Sequence, residues 1–186
     1  MAANPIPPEQ RLVFSASVNG LLRILGDDVD KPEVRAKLLE LGFNVDRLLP
    51  GYGLPECMKL MDYIGTRCFP ELQGDERERA LGRGFIRAFG ETLLGKATMA
   101  MGKVMGPMRA TMRLTRAMRT VNNYSNSGAT QLTPRSVELW CEPVWRPWYY
   151  IGIFEEGGRA IHGESYTVVL RSFDEKKERA EFFVSW

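Results

Sequence analysis

The stretch that decides the fold runs from Met118 to Glu142, MRTVNNYSNSGATQLTPRSVELWCE. Upstream of it, apolar residues recur every three or four positions. Within it that period stops. Ser136 to Glu142 alternates instead, with Val137, Leu139 and Cys141 on one face, as in a half-buried strand. Asn126-Ser127-Gly128 has turn composition. The pattern predicts two strands joined by a turn, at roughly 119–125 and 134–141. Asn and Ser are poor strand formers, so the first of these reads as an edge strand or a loop. Asn123-Tyr124-Ser125 also fits the glycan-acceptor pattern. The start of the chain, MAANPIPPEQR, lacks the basic-then-apolar layout of a secretory signal, which sets the glycan reading aside.

Downstream, ESYTVVLRSF and RAEFFVSW read as strands joined by the charged loop DEKKE. Between the strand pairs, RPWYYIGIFEEGGRAIHG supports two readings. Tyr149, Ile151 and Ile153 alternate as in a strand. Tyr150, Ile153, Phe154 and Ile161 line one side of a helix that begins at Pro147.

Upstream, the chain reads as helical. LVFSASVNGLLRIL places Val18, Leu21, Leu22 and Leu25 on one helix face, with Ser15 or Ser17 as the cap. DDVDKPEVRAKLLELGFN starts a helix at Pro32 and stops it at Gly42. LLPGYGLP reads as a loop, and a helix runs from Pro55 to before Pro70. The segment from Gly74 to Pro107 is one long helix or two. Leu81, Phe85, Phe89, Leu93 and Ala97 keep a helical period, and Gly82, Gly90 and Gly95 suit close packing against another helix. A further helix follows Gly106-Pro107. The expected class is α+β, with helices packed on one face of a four-stranded antiparallel sheet formed by the C-terminal third.

The chain has 186 residues, enough for one domain with a real core. Residues 1–10 read as a flexible lead-in and 11–186 as a single domain. An apolar fraction of 44%, a charged fraction of 26% and a net charge of +2 carry no bias toward a nucleic-acid or membrane protein. No apolar run reaches the roughly 18–20 residues that span a bilayer. The three cysteines are odd in number and form no CxxC pair. That argues against a disulfide framework or structural zinc, and for a reducing cytoplasm.

The stretches VFSASVNGLLRILG, LGRGFIRAFGETLLGKA, MGPMRATMRLTRAMRTVNNYSNSGATQL and WYYIGIFEEG…VSW resemble a family of uncharacterised proteins with many paralogues in myxobacteria. More distantly, the C-terminal order of strand pair, glycine-marked helix and strand pair looks like the vinyl-reductase-type ligand-binding domain. That domain is grouped with the haem-NO-associated domain and the vesicle-tethering TRAPP subunits. The resemblance implies a helix at 148–162, a dimer formed through helices (with 82–100 as its face) and a ligand in an apolar pocket. The cysteine cluster common before the last strand of the vinyl-reductase-type domain is replaced here by DEKKERAEFF, so its chemistry does not carry over.

Charge is segregated. No acid lies between Glu91 and Glu138, while Lys96, Lys103, Arg109, Arg113, Arg116, Arg119 and Arg135 all do. The Arg109–Arg119 stripe, followed by Asn122 and Asn123, is chemistry for an oxyanion, a nucleotide or an acidic partner. Its plain alternative is a solvated face paired with acids of 74–79 or 173–178. Nucleic acid fits less well, because aromatic residues are not interleaved with the patch. Met105 and Met112, with their neighbours Met99, Met101, Met108 and Met118, read as core or as the lining of a ligand pocket. Trp140, Trp148 and Tyr149 mark either a core or an interface, and Arg146 sits between tryptophans for stacking.

Catalytic signals are thin. His162 is the single histidine, which excludes a multi-histidine metal site. It leaves only a Cys141–His162 pair or a lone haem ligand to consider. Glu155 and Glu156 point in different directions on a helix and do not form an acid–base pair. No catalytic or metal-ligating residue is assigned, and the cofactor stays open. The expectation is a non-enzymatic regulatory module of a bacterial signalling system, a homodimer. It binds a small molecule in an apolar pocket or a protein partner. The alternatives are an anionic ligand or acidic partner on the Arg109–Arg119 stripe, and a cysteine-dependent enzyme.

Overall fold

The structure, a computed structural model, describes residues 6–163 and 165–186. Of the expected lead-in, residues 1–5 lie outside the described residues, and Pro8–Gln10 forms a short 3-10 turn.

Strand β1, Leu12–Phe14, pairs antiparallel with β2, Gly51–Gly53, and sets Val13 opposite Tyr52. The GYG stretch, expected as a loop, is thus a strand. Its period is too short to register in sequence, and its partner lies far upstream. Helix α1, Ser15–Leu22, follows β1 directly. The expected serine cap is absent: Phe14 occupies the cap position, and Ser15 and Ser17 lie inside the helix. A 3-10 segment, Arg23–Asp30, leads to α2, Pro32–Glu40, and then α3 is Leu54–Cys68.

The long segment after Gly74 is two helices, α4 at Gly74–Gly90 and α5 at Leu93–Met105. Thr92 makes the break: its backbone is extended, and its hydroxyl accepts from the Gly95 amide at 3.0 Å. The basic segment does not form one helix either. It divides into α6, Pro107–Met112, and α7, Leu114–Met118.

The four-stranded sheet comes from the C-terminal third, in the order β3-β4-β6-β5 with every neighbour antiparallel. Its strands are β3, Asn126–Thr133; β4, Ser136–Glu142; β5, Thr167–Asp174; and β6, Arg179–Ser185. Helix α8, Pro147–His162, settles the ambiguous stretch as a helix between the two hairpins.

The first strand lies later than the period predicted, at 126–133 rather than 119–125. Residues 121–123 clasp β1 instead. The Phe14 amide donates to the Val121 carbonyl at 2.9 Å, and the Asn123 amide donates to the Leu12 carbonyl at 3.2 Å. Gly128, which looked like a turn residue, lies within β3 because the Trp140 ring covers it. A Cβ there would stand 2.5 Å from Trp140 Nε1.

Two apolar clusters hold the molecule together. The N-terminal one gathers Val18, Leu21, Val34, Leu38, Phe43, Leu60, Ile64, Leu81 and Phe85 from α1 to α4. The C-terminal one gathers Val137, Leu139, Cys141, Ile151, Phe154, Phe182 and Val184 between α8 and the sheet. Tyr149 and Ile153 of α8 pack against both. The clusters are joined where α4 crosses α8, and two glycines bring the backbones together there. A Cβ on Gly82 would lie 2.1 Å from the Tyr149 carbonyl oxygen, and one on Gly152 2.1 Å from that of Arg79. The packing role read for Gly82 is therefore met inside the chain.

Candidate functional site

Three regions hold the expected functional residues. The first is the seam between α4 and α8. Arg79, Arg83 and Arg87 recur every fourth residue along α4, so they share one face. Glu155 is 3% exposed and takes both Arg79 and Arg83. Arg79 Nε donates to its carboxylate at 2.9 Å and Arg83 Nη2 at 2.7 Å. Burial pushes the Glu155 carboxyl up, and the two guanidiniums outweigh it, holding the group below the ordinary glutamate value. Glu156 turns outward to Arg87 at 2.9 Å. Both carboxylates are therefore tied to arginines, which suits a structural clamp. Sequence reading missed this clamp, although the arginine spacing in DERERALGRGFIRAFG carried its signal.

The second region is the aromatic one. Tyr149 lies in the seam, where burial raises its pKa. Trp148 packs against the C-terminal cluster. Trp140 lies on the opposite face of the sheet from Leu139 and Cys141, with the Arg179 guanidinium 4.3 Å above its ring. These three side chains do not converge on one pocket. Arg146 does not stack between tryptophans as expected: its charge is taken by Asp62 at 2.6 Å and Glu78 at 3.8 Å. Arg11 covers the Trp145 ring instead, at 5.3 Å.

The third region is α5 to α7. Arg109, Arg113 and Arg116 are exposed, and so is Arg119, whose Nε donates to the Ser125 carbonyl at 3.4 Å. No carboxylate among the described residues forms an ion pair with any of the four. Of the acids of 74–79 and 173–178, Glu78 pairs with Arg146, Asp174 with Lys177 at 3.3 Å and Glu178 with Arg11 at 2.9 Å. Asn122 is buried, and Asn123 is half-buried with its side chain turned to the β1 segment. The Asn122 side-chain Oδ1 accepts from the amides of Tyr124 at 3.1 Å and Ser125 at 2.8 Å. Asn123 accepts from the Leu12 amide at 2.9 Å and donates to the Gln10 carbonyl at 3.0 Å. Met105 is half-buried, Met112 is exposed, and Met108 and Met118 pack against the C-terminal cluster. The breaks at Gly106 and Arg113 divide the expected methionine and arginine stripes among separate helices.

A thiol nucleophile finds little support. Burial pushes the Cys57 thiol up to about 12, and raises Cys68 and Cys141 as well. Such thiols stay protonated at neutral pH. The His162 ring stacks on Tyr166 with the centroids 5.9 Å apart. No group of three metal-ligating side chains occurs among the described residues, and no helix of the described chain is long and apolar enough to cross a membrane.

A family model described as "protein of unknown function (DUF2378)" matches residues 11–186. The chain belongs to the DUF2378 family. No curated protein matches it. Among solved structures, it is similar to an oxygen-binding H-NOX domain related to soluble guanylate cyclases, in its oxygen complex. The TM-score is 0.63 at 16% identity, over 91% of this chain and 90% of that one. A structure described as modulating heme redox potential through protein-induced porphyrin distortion has a TM-score of 0.63 at 16% identity, over 92% and 91% of the two chains. A single-site variant of the T. tengcongensis H-NOX has a TM-score of 0.55 at 18% identity, over 91% and 92%. At this identity the likeness shows the fold alone, and that fold is consistent with the haem-NO-associated one named in the resemblance drawn from sequence.

Neither of two depressions among the described residues fits a heme. A cofactor of that size needs a cavity of about 300–1,000 Å³ with a ligating side chain in its wall. The two best-formed depressions measure about 40 Å³, beside Asp62 and Arg146, and about 240 Å³, beside Leu39 and Phe43. Both are polar-rimmed or open, and His162 lines neither. At the α4–α8 crossing the two backbones touch.

Proposed function

We propose that this chain is a non-enzymatic regulatory module that works by engaging a protein partner through the α5–α7 face, using an H-NOX fold without a heme. One observation carries the reading. Helix α5 buries its glycines and exposes its large apolar side chains. Gly95 and Gly102 face inward, while Leu93 is 87% exposed, Val104 89% and Met101 60%. A helix that serves only the fold is patterned the other way. An apolar face without a cover marks an interaction surface.

The basic segment from Lys96 to Arg119 forms the rim of this surface, and its arginines have no carboxylate partner among the described residues. A small molecule in an apolar pocket is the competing reading, and the packed α4–α8 seam weighs against it. The homodimer expected through the helices would have to set Lys96 and Lys103 near their own copies if it used α5, at a cost in like-charge repulsion.

Two measurements test the proposal. Native mass spectrometry of the purified protein is expected to return the bare polypeptide mass. A bound small species would sink the reading. Affinity purification from the native host is then expected to retain a protein on the wild type and lose it on Val104→Asp, with both proteins melting at the same temperature. Equal retention by both would exclude α5 as the surface.

A further inference from the structure

Resting on the reading of α5 as a partner surface, we infer that its occupant is an acidic amphipathic helix of another protein. The argument starts from the spacing along α5. Leu93, Ala97, Ala100, Met101 and Val104 stand at i, i+4, i+7, i+8 and i+11, so they form one stripe about 17 Å long. All five are exposed. On the opposite side, Gly102 packs on α8, where an added Cβ would lie 2.6 Å from Ile161 Cδ1. α5 therefore uses its small side to bind its own chain and keeps its large side free.

The stripe has the relief of a helix-binding face. Ala97 and Ala100 are low at its centre and admit a close helix backbone. Leu93, Met101 and Val104 stand around them as knobs. A lipid surface would be met by a broader apolar face with aromatic anchors, and α5 contains no aromatic residue.

Charge chooses the sign of the partner. Lys96 and Lys103 flank the stripe on one side, both exposed. The Arg113 guanidinium reaches the C-terminal end of α5, with Nη1 3.5 Å from Met105 Sδ. No acid occurs between Glu91 and Glu138 to neutralise this field. A helix with glutamates beside its apolar stripe satisfies both features at once. A second copy of this chain would bring the same lysines to the same stripe, which like-charge repulsion disfavours.

The test uses the full chain and two synthetic peptides of about 20 residues, long enough to hold a helix. Both carry leucine at helical spacing; one carries glutamate and the other lysine at the remaining positions. Fluorescence anisotropy is expected to show the glutamate peptide binding and the lysine peptide not binding. Val104→Asp and Ala100→Glu should each weaken binding about tenfold or more, and raising the salt should weaken it as well. Circular dichroism checks that both variants stay folded.

Binding that is indifferent to Val104→Asp, or equal binding of the two peptides, overturns the proposal. So does adsorption to phosphatidylglycerol vesicles that the same variants abolish, which assigns the face to lipid. A concentration-dependent doubling of mass abolished by Val104→Asp overturns it in favour of a second copy. If the glutamate peptide fails while Val104→Asp still releases a host protein, only the acidic-helix assignment falls. If Val104→Asp releases nothing, the partner-surface reading falls with it.

Discussion

At the scale of single residues, Glu155 and the glycine pair Gly82 and Gly152 do the most to define the seam. Replacing Glu155 by Gln removes the charge that Arg79 and Arg83 share. The arginines are about a third exposed, with side-chain exposures of 37% and 30%. The cost therefore falls below that of a fully buried pair, at about 2 kcal/mol, read as a lower urea midpoint. The same group sets an acid response. Its folded pKa lies below its unfolded value. Its contribution is thus complete above the unfolded pKa of about 4.3 and is lost as pH falls through the folded value. Urea midpoints from pH 7 down to 3 should fall more steeply for the wild type than for Glu155→Gln. Gly82→Ala should cost about 3 kcal/mol, because its methyl group would meet the backbone of α8. Gly90→Ala, where nothing lies within 4 Å, should gain about 0.5 kcal/mol. Equal melting temperatures for these two variants would remove the close-crossing account. The sequence marked Gly82 as a packing residue through its place in a helical run. It held no sign of which backbone Gly82 meets, because Tyr149 lies 67 residues away.

At the scale of elements, the loop from Val121 to Ser125 joins the basic helices to the sheet and ties both to β1. Asn123 exchanges hydrogen bonds with Leu12 and Gln10 through its side chain and backbone. Asn123→Ala is expected to cost about 1–2 kcal/mol and to speed amide exchange at Leu12 more than at Leu139. Uniform exchange across the molecule would exclude the clasp. The polar run in VNNYSNSG was legible as a break in helical period, and its asparagines looked like ligand contacts. Their work is internal, because short amide side chains can replace the backbone partners that a strand would provide. The shift of β3 from 119–125 to 126–133 has the same cause. The Trp140 ring packed on half-buried Gly128 outweighs the turn propensity of that glycine, and the asparagines occupy the loop.

At the scale of the whole molecule, two clusters meet along α8 in an H-NOX fold whose seam is closed. Hemin added in equimolar amount should leave the absorbance spectrum of free hemin. A sharp Soret band at one-to-one stoichiometry would overturn the misfit described for His162 and the two depressions. The α+β class, the sheet in the C-terminal third, the period of α2 and α3 and the charge segregation from Lys96 to Arg135 were all determined by the sequence alone. They follow from local periodicity and composition, which are properties of neighbours along the chain. The pairing of β1 with β2, the clamp of Arg79 and Arg83 on Glu155, the internal hydrogen bonds of Asn122 and Asn123 and the outward face of α5 were decided only by tertiary structure. Each depends on which distant segment supplies the contact. For α5 the deciding fact is that Gly102 meets Ile161, which turns Leu93, Met101 and Val104 to the outside, a direction that helical period by itself leaves open.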